Sequence, residues 1–187
     1  MKVEVLKYPT QEDWNLCKLC ALNTAGFSKM KNEPDEAWKR MILRSEHSPI
    51  RVLQFAIKVE MPYWVSVHYV RHKFGVEHFI STQRDDRTHA TVSRADKPQG
   101  ELVSHIMYLN AQELIQICHK RLCAQASPET RQVCLAIVKE VLKTNPEFSE
   151  VLVPLCEYRN GLCTEPFPCG KALKKDISKN ALEDDGK

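Results

Sequence analysis

Residues 51–72 read RVLQFAIKVEMPYWVSVHYVRH, and the two halves of this stretch follow different rules. Leu53, Phe55, Ile57 and Val59 alternate with Gln54, Ala56, Lys58 and Glu60, the pattern of a strand with one buried face. Pro62 ends the alternation. The run that follows is too short for its period to separate strand from helix, but a proline at its entrance suits a helix start, so a helix is expected. On that helix His68 and His72 share a face at the i, i+4 spacing of metal ligands, although no third ligand is placed as in a metalloprotease motif.

On the N-terminal side, KVEVLKY has period two and reads as a first strand. Thr10, with Asp13 three residues on, is expected to cap a helix carrying Trp14, Leu16, Cys17 and Cys20, and Gly26 to stop it. Pro34, Asp35 and Glu36 then open a second helix, with Trp38, Met41 and Ile42 on its buried side. On the C-terminal side, residues 74–83 look extended, RDDRTHATVSRADKPQG reads as loop or short irregular structure, and ELVSHIMYL as a strand. Asn110 caps a helix from Ala111 to about Leu122, Ser127 opens another to about Lys143, and a last helix is expected over about Glu147–Leu155. The expected class is α/β (α+β), a central sheet flanked by helices, with one domain over 1–155 and a cysteine-rich loop and charged tail over 156–187.

The 187-residue chain has a formal net charge of +3, too balanced for a general nucleic-acid coat. Its positive charge is local: Arg71, Lys73, Arg84, Arg87, Arg94 and Lys97 accompany His72, His78 and His89. Arginine forks and lysines of this kind suit phosphates, although a solvated charged loop has the same composition. The N-terminus lacks the long apolar core of a secretory signal and no run approaches the ~20 apolar residues of a membrane span, so a cytoplasmic protein with no membrane contact is expected.

The eight cysteines should then stay reduced unless they bind metal. Cys17 and Cys20 sit within a helix, where packing is the expected role. Cys156, Cys163 and Cys169 fall in CEYRNGLCTEPFPCG, a loop too small to bury three thiols by packing alone. A zinc or iron–sulfur staple is therefore expected there, completed by Cys118, Cys123 or a histidine.

A helical wheel from Asn110 puts Leu114, Ile115, Ile117, Cys118 and Leu122 on one stripe, and Arg121 inside it. An inward guanidinium must find an anion or several acceptors. Two readings stand: a structural pair, for example with Glu129, or an anchored cation aimed at a ligand.

RHKFGVEHFIS resembles the R-H-R-x7-S signature of the flavin-dependent thymidylate synthases, with Arg71, His72, Lys73 and Ser81 in the four positions. SEHSPIRVLQFAIKVEMPYWVSVHYVRH is similar to the segment ahead of it, and SRADKPQGELVSHIMYLNAQELIQICHKRL to the segment that runs from a nucleotide-binding arginine to the catalytic one. Arg94, Pro98, Asn110 and Arg121 fill those places, and ASPETR resembles the start of the next helix. The resemblance spans about residues 45–145 and implies a homotetramer with FAD as cofactor and a dUMP-like nucleotide, methylenetetrahydrofolate and NADPH as partners.

On this resemblance Ser48, Arg71, His72, Lys73, Asn110, Gln112 and Gln116 would bind FAD. His68, Arg71, Ser81, Gln83, Arg94 and Arg121 would bind the nucleotide, with Arg121 catalytic. The chain departs from the family pattern at Phe79, Gln83 and His68, and Ser81 and Arg94 stand much closer together than the family places them. A flavin- or nucleotide-binding module without methyl transfer is the alternative, and a metal-stapled nucleic-acid binder a third.

Overall fold

The structure, a computed structural model, describes residues 2–88 and 91–171. His89 of the cationic cluster and most of the charged tail lie outside the described residues. Four strands, β1 (Val3–Lys7), β2 (Gln54–Pro62), β3 (Val76–Ile80) and β4 (Leu102–Asn110), form one antiparallel sheet in the order β1-β2-β4-β3. The principal helices are α1 (Gln11–Thr24), α2 (Glu36–Arg44), α3 (Tyr63–Val70), α5 (Ala111–Arg121) and α6 (Pro128–Thr144), with single helical turns α4 (Asp85–Thr88) and α7 (Leu155–Tyr158). Helices and sheet together bear out the expected mixed class. No helix among the described residues is long and apolar enough to cross a membrane.

The alternation along β2 does what period two requires. Phe55, Ile57, Val59 and Met61 are fully buried, and in register across β4 the inward positions are Val103, His105, Met107 and Leu109. Trp14 and Cys17 of α1, Leu114, Ile117 and Cys118 of α5, and Val133, Ile137 and Val141 of α6 cover this face. Each such side chain contributes about 1.5–3 kcal/mol on leaving water. Burial also pushes the Cys17 thiol up to about 12, with Cys20 adding to the shift, as fits a packed, inert sulfur. The buried Trp14 indole finds its acceptor in Glu147 (Nε1 to Oε1, 2.9 Å).

The helix starts follow their caps. Thr10 and Asp13 close a reciprocal capping box on α1. Asp35 accepts from Trp38 N at the start of α2, which leaves Pro34 ahead of the helix rather than in its first turn. Two expectations are corrected. Met41 is exposed while Leu43 is buried, because the face of α2 that meets the core carries Ile42 and Leu43. The last expected helix is instead a 3-10 turn (Pro146–Glu150) and α7, since Pro154 lacks the N–H needed to continue a helix. On α6 the covered stripe runs through Thr130, Val133, Cys134, Ile137 and Val141, leaving Leu135 exposed beside Arg131.

One backbone contact joins the two segments that carry the candidate site. Gly75, with φ +77°, precedes β3, and its carbonyl accepts from Asn110 N at 2.9 Å where β4 turns into α5. A Cβ at Gly75 would strike the amide group of the Asn110 side chain, the cap whose Oδ1 accepts from Glu113 N at 2.9 Å. Gly75→Ala is therefore expected to lower the unfolding free energy by about 2 kcal/mol, the sum of left-handed backbone strain and a damaged N-cap, read from urea denaturation.

Candidate functional site

The site is built where α3 ends, because the chain there leaves the helix and immediately presents Arg71, His72 and Lys73. The last four carbonyls of a helix have no partner within it. One of them, His68 O, accepts from Arg121 Nη2 at 2.5 Å, so the C-terminus of α3 is closed by a guanidinium from the C-terminus of α5. The same guanidinium donates through Nε to His72 Nε2 at 3.1 Å, and His72 Nδ1 lies 3.0 Å from Glu113 Oε1. Arg121, read from the sequence as an inward cation, is half-buried as expected, but its acceptors are His68 and His72; Glu129 is exposed and not among its partners. Burial draws the Arg121 pKa down, and the Arg71 charge pushes the same way while Tyr69 opposes it.

His68 is held on its other side. Its Nδ1 lies 3.1 Å from the hydroxyl of Thr130, and Tyr69 Oη donates to the Thr130 carbonyl at 3.0 Å. Burial, then Arg121 and Arg71, lower the His68 pKa, so the ring is neutral near pH 7. His68 and His72 do not share a helix face: α3 ends at Val70, and the rings turn to different partners, Thr130 for His68 and Arg121 with Glu113 for His72.

Arg71 and Lys73 are exposed and have no acidic partner among the described residues. They line one side of an open cavity of about 350 Å³ whose other walls include Val67, Val70 and Ile80. Tyr63 contributes both to it and to a polar cavity of about 220 Å³ lined by Gln83, Arg94 and Lys97. A third, of about 280 Å³, brings His72 and Gln116 together with Lys120 and Arg159. Arg121 lines none of these three; it sits where the C-terminal ends of α3 and α5 meet.

The remaining expected residues are more committed. Asn110 caps α5, Gln112 accepts from Arg51 Nε at 2.6 Å, and Ser48 stands exposed at the start of a 3-10 turn (Ser48–Val52) packed near them. Ser81 extends the ladder to β4: its N–H donates to Ser104 O at 2.8 Å and its hydroxyl accepts from Ser104 N at 3.0 Å. Of the other cations, Arg84 pairs with Asp86 at 2.7 Å and Lys97 with Glu101 at 2.7 Å.

The expected metal staple finds no support among the described residues. Cys156, Cys163 and Cys169 line one small cavity with Cys123 and His119. Yet among the described residues no group of three or more His, Cys, Asp or Glu is arranged to hold a metal ion. The loop is fastened by other means: Lys120 to Glu165 at 3.4 Å, Gln125 to the Phe167 carbonyl, and Tyr158 Oη to the Arg44 carbonyl at 2.5 Å.

The chain is 30% identical over 91 residues to the flavin-dependent thymidylate synthase of Sulfurisphaera tokodaii. That match takes in 46% of this chain and 35% of that protein, so the chain spans about a third of the length of the curated relative it matches. No protein-family model matches the chain.

Two residues that matter here were not singled out from the sequence. Glu113 was hidden in the first turn of α5, where an acid is expected for helix stability alone. His105 alternates with Val103 and Met107 on β4, and that placement at an inward strand position was a readable signal. Its Nε2 lies 2.9 Å from His78 Nδ1, whose own Nε2 meets the His72 carbonyl at 2.9 Å. A carbonyl only accepts, so His78 carries its proton on Nε2 and His105 donates from Nε2, leaving His105 Nδ1 buried without a partner among the described residues.

Burial, then the neighbouring His78, lower His105 to about 4. The unfolded chain binds a proton near its ordinary 6.5 that the folded chain refuses, so folding stability falls as pH drops from 6.5 toward 4. The expected loss is about 3 kcal/mol. His105→Gln, which keeps the donor to His78, should flatten that part of the profile in urea titrations between pH 4 and 7.

Proposed function

We propose that this chain is a short, divergent flavin-dependent thymidylate synthase-like enzyme. It carries out reductive methylation of dUMP, or a related pyrimidine nucleotide, with methylenetetrahydrofolate as one-carbon donor, FAD as cofactor and NADPH as reductant. The observation that carries this reading is the half-buried Arg121 guanidinium held against His72, the central residue of the R-H-K run whose two outer cations remain unpaired among the described residues. The partial likeness to the Sulfurisphaera tokodaii protein supports it. The same reading carries a cytoplasmic homotetramer with sites shared between subunits.

The residues present fit a flavin nucleotide. Arg71 and Lys73 offer unpaired positive charge beside an apolar wall, the combination that a phosphate joined to an aromatic ring system requires. His72 and Gln116 border the adjoining cavity, and Ser48, Asn110 and Gln112 lie at the start of α5. Bound FAD would supply hydride transfer and carriage of the one-carbon unit.

The chain's own residues do the rest. Arg94 and Gln83 line a polar cavity suited to the nucleotide phosphate, and Ser81, its oxygen already accepting from Ser104, still has a hydroxyl hydrogen to donate. His68, neutral and fixed by Thr130, offers a ring beside the same helix end. Arg121 stabilises the negative charge that develops on the pyrimidine as N3 ionises, in a setting that its half-burial keeps less polar than water.

A second reading rests on a specific observation. Ser81 and Arg94 stand close in sequence, and the described residues between them are mostly exposed with one helical turn, so these residues cover little of the nucleotide side. A flavin- or nucleotide-binding module that lacks methyl transfer would show the same cations and the same openness.

The visible spectrum of freshly purified protein is expected to show bound flavin, and its absence would remove both readings. Formation of dTMP with NADPH oxidation, dependent on dUMP and methylenetetrahydrofolate, is expected of the enzyme; flavin-loaded protein without it favours the module. Arg71→Ala should release flavin. Arg121→Ala should keep the fold, with about 2 kcal/mol lost from its two hydrogen bonds, while dTMP formation falls by roughly 100-fold or more. Wholesale unfolding would make Arg121 a structural residue instead.

A further inference from the structure

Glu113 is a carboxylate only 4% exposed whose side-chain partner among the described residues is His72. It sits in the first turn of α5, where the helix N-terminus favours negative charge, and its own N–H is taken by the Asn110 cap. The carboxylate is therefore fixed to a helix end whose register is set in turn by the Gly75 carbonyl. It does not touch Arg121. Between the two stands the His72 ring, with Nδ1 3.0 Å from Glu113 Oε1 and Nε2 3.1 Å from Arg121 Nε.

A guanidinium N–H can only donate. His72 Nε2 must then present a lone pair, its proton must sit on Nδ1, and Nδ1–H donates to Glu113. With the opposite tautomer, Nε2–H would face the Arg121 Nε–H and Nδ1 would face a carboxylate, two repulsive contacts in place of two hydrogen bonds. The guanidinium would keep the His68 carbonyl and lose its second anchor, free to turn about Nη2.

We propose that Glu113 is a positioning residue: by fixing His72 as the Nδ1–H tautomer it orients the Arg121 guanidinium for the pyrimidine nucleotide. This rests on the reading of Arg121 as the group that meets that nucleotide. The competing role is a plain charge balance, in which a buried anion offsets a half-buried cation and the direction of the His72 ring is immaterial. The two differ in what they demand. Charge balance needs the carboxylate's charge, whereas positioning needs an acceptor for Nδ1–H, charged or not.

The test uses the full chain labelled with ¹⁵N at histidine and arginine, with ring-nitrogen shifts and the coupling across the Arg121 Nε–H to His72 Nε2 hydrogen bond read by NMR near neutral pH. Wild type is expected to show His72 protonated on Nδ1 and the coupling present. Glu113→Ala should shift His72 to Nε2–H, abolish the coupling and weaken dUMP binding in calorimetry about tenfold or more, as for a lost charge-assisted contact. Glu113→Gln, whose Oε1 still accepts from Nδ1–H, should restore the tautomer, the coupling and most of the affinity.

Nε2–H in the wild type overturns the proposal, as does an unchanged tautomer in Glu113→Ala, or a changed one with undiminished dUMP affinity. A Glu113→Gln variant no better than Glu113→Ala would establish charge balance instead. If Glu113→Ala does not fold, the wild-type and Glu113→Gln spectra decide. Wild type that binds no dUMP removes the nucleotide reading, and the ring-nitrogen measurements then decide by themselves whether Glu113 sets the tautomer.

Discussion

A guanidinium that closes the end of another helix is the interaction on which the site depends. The last carbonyls of a helix such as α3 lack a partner within the helix and carry a partial negative charge. Arg121 meets one of them and the His72 ring that follows, so one side chain satisfies α3, ties α5 to it, and fixes where Arg71, His72 and Lys73 leave the helix. Without that cation the end of α3 and the His72 ring lose the partner they share. The structural and ligand-binding readings of an inward arginine are thus not exclusive: the contacts that satisfy it on one side hold it still for whatever approaches on the other.

The cationic segment sorts into spent and unspent charge. Arg84 is neutralised by Asp86 two residues away, an exposed pair that contributes little to stability, and the largely buried Lys97 ammonium by Glu101 four residues away. Arg71 and Lys73 have no such partner among the described residues and flank an apolar wall, while Arg94 faces a polar cavity with Gln83. Composition treats all of these cations alike; the geometry separates those that balance the chain's own acids from those left for an anionic ligand.

Much of this was legible in the sequence, for reasons that differ from element to element. β2 and β4 could be read because one buried face imposes a strict alternation, and α5 and α6 because Asn110 and Ser127 stand where N–H donors need acceptors. α3 could not be read from its period, and only Pro62 marked it as a helix. The wheel placed Arg121 inward but offered Glu129 as its partner, since a wheel sees only its own helix and near neighbours in the chain; the acceptors come from residues about fifty positions earlier. Met41 and the last helix failed where packing and a proline overrode pattern. How the cysteine loop is fastened could not be read, because it rests on one ion pair from α5 and on side-chain hydrogen bonds from Gln125 and Tyr158 to distant carbonyls, contacts with no local signature.

Exposure divides the work within the proposed site. At Arg94, on an exposed 3-10 turn, attraction to a phosphate is weakened by water and salt, so it favours encounter and loose positioning more than rate. At Arg121 the chain itself excludes much of the water, and a charge developing nearby is felt more strongly. The desolvation that lowers the Arg121 pKa is also what makes the cation effective, provided its direction is fixed beforehand so that no reorganisation is needed as charge appears. A half-buried guanidinium free to turn would carry the cost of burial without that benefit. The fixed ring of His72, with an acceptor on one nitrogen and a donor on the other, is what converts a merely buried arginine into an aimed one.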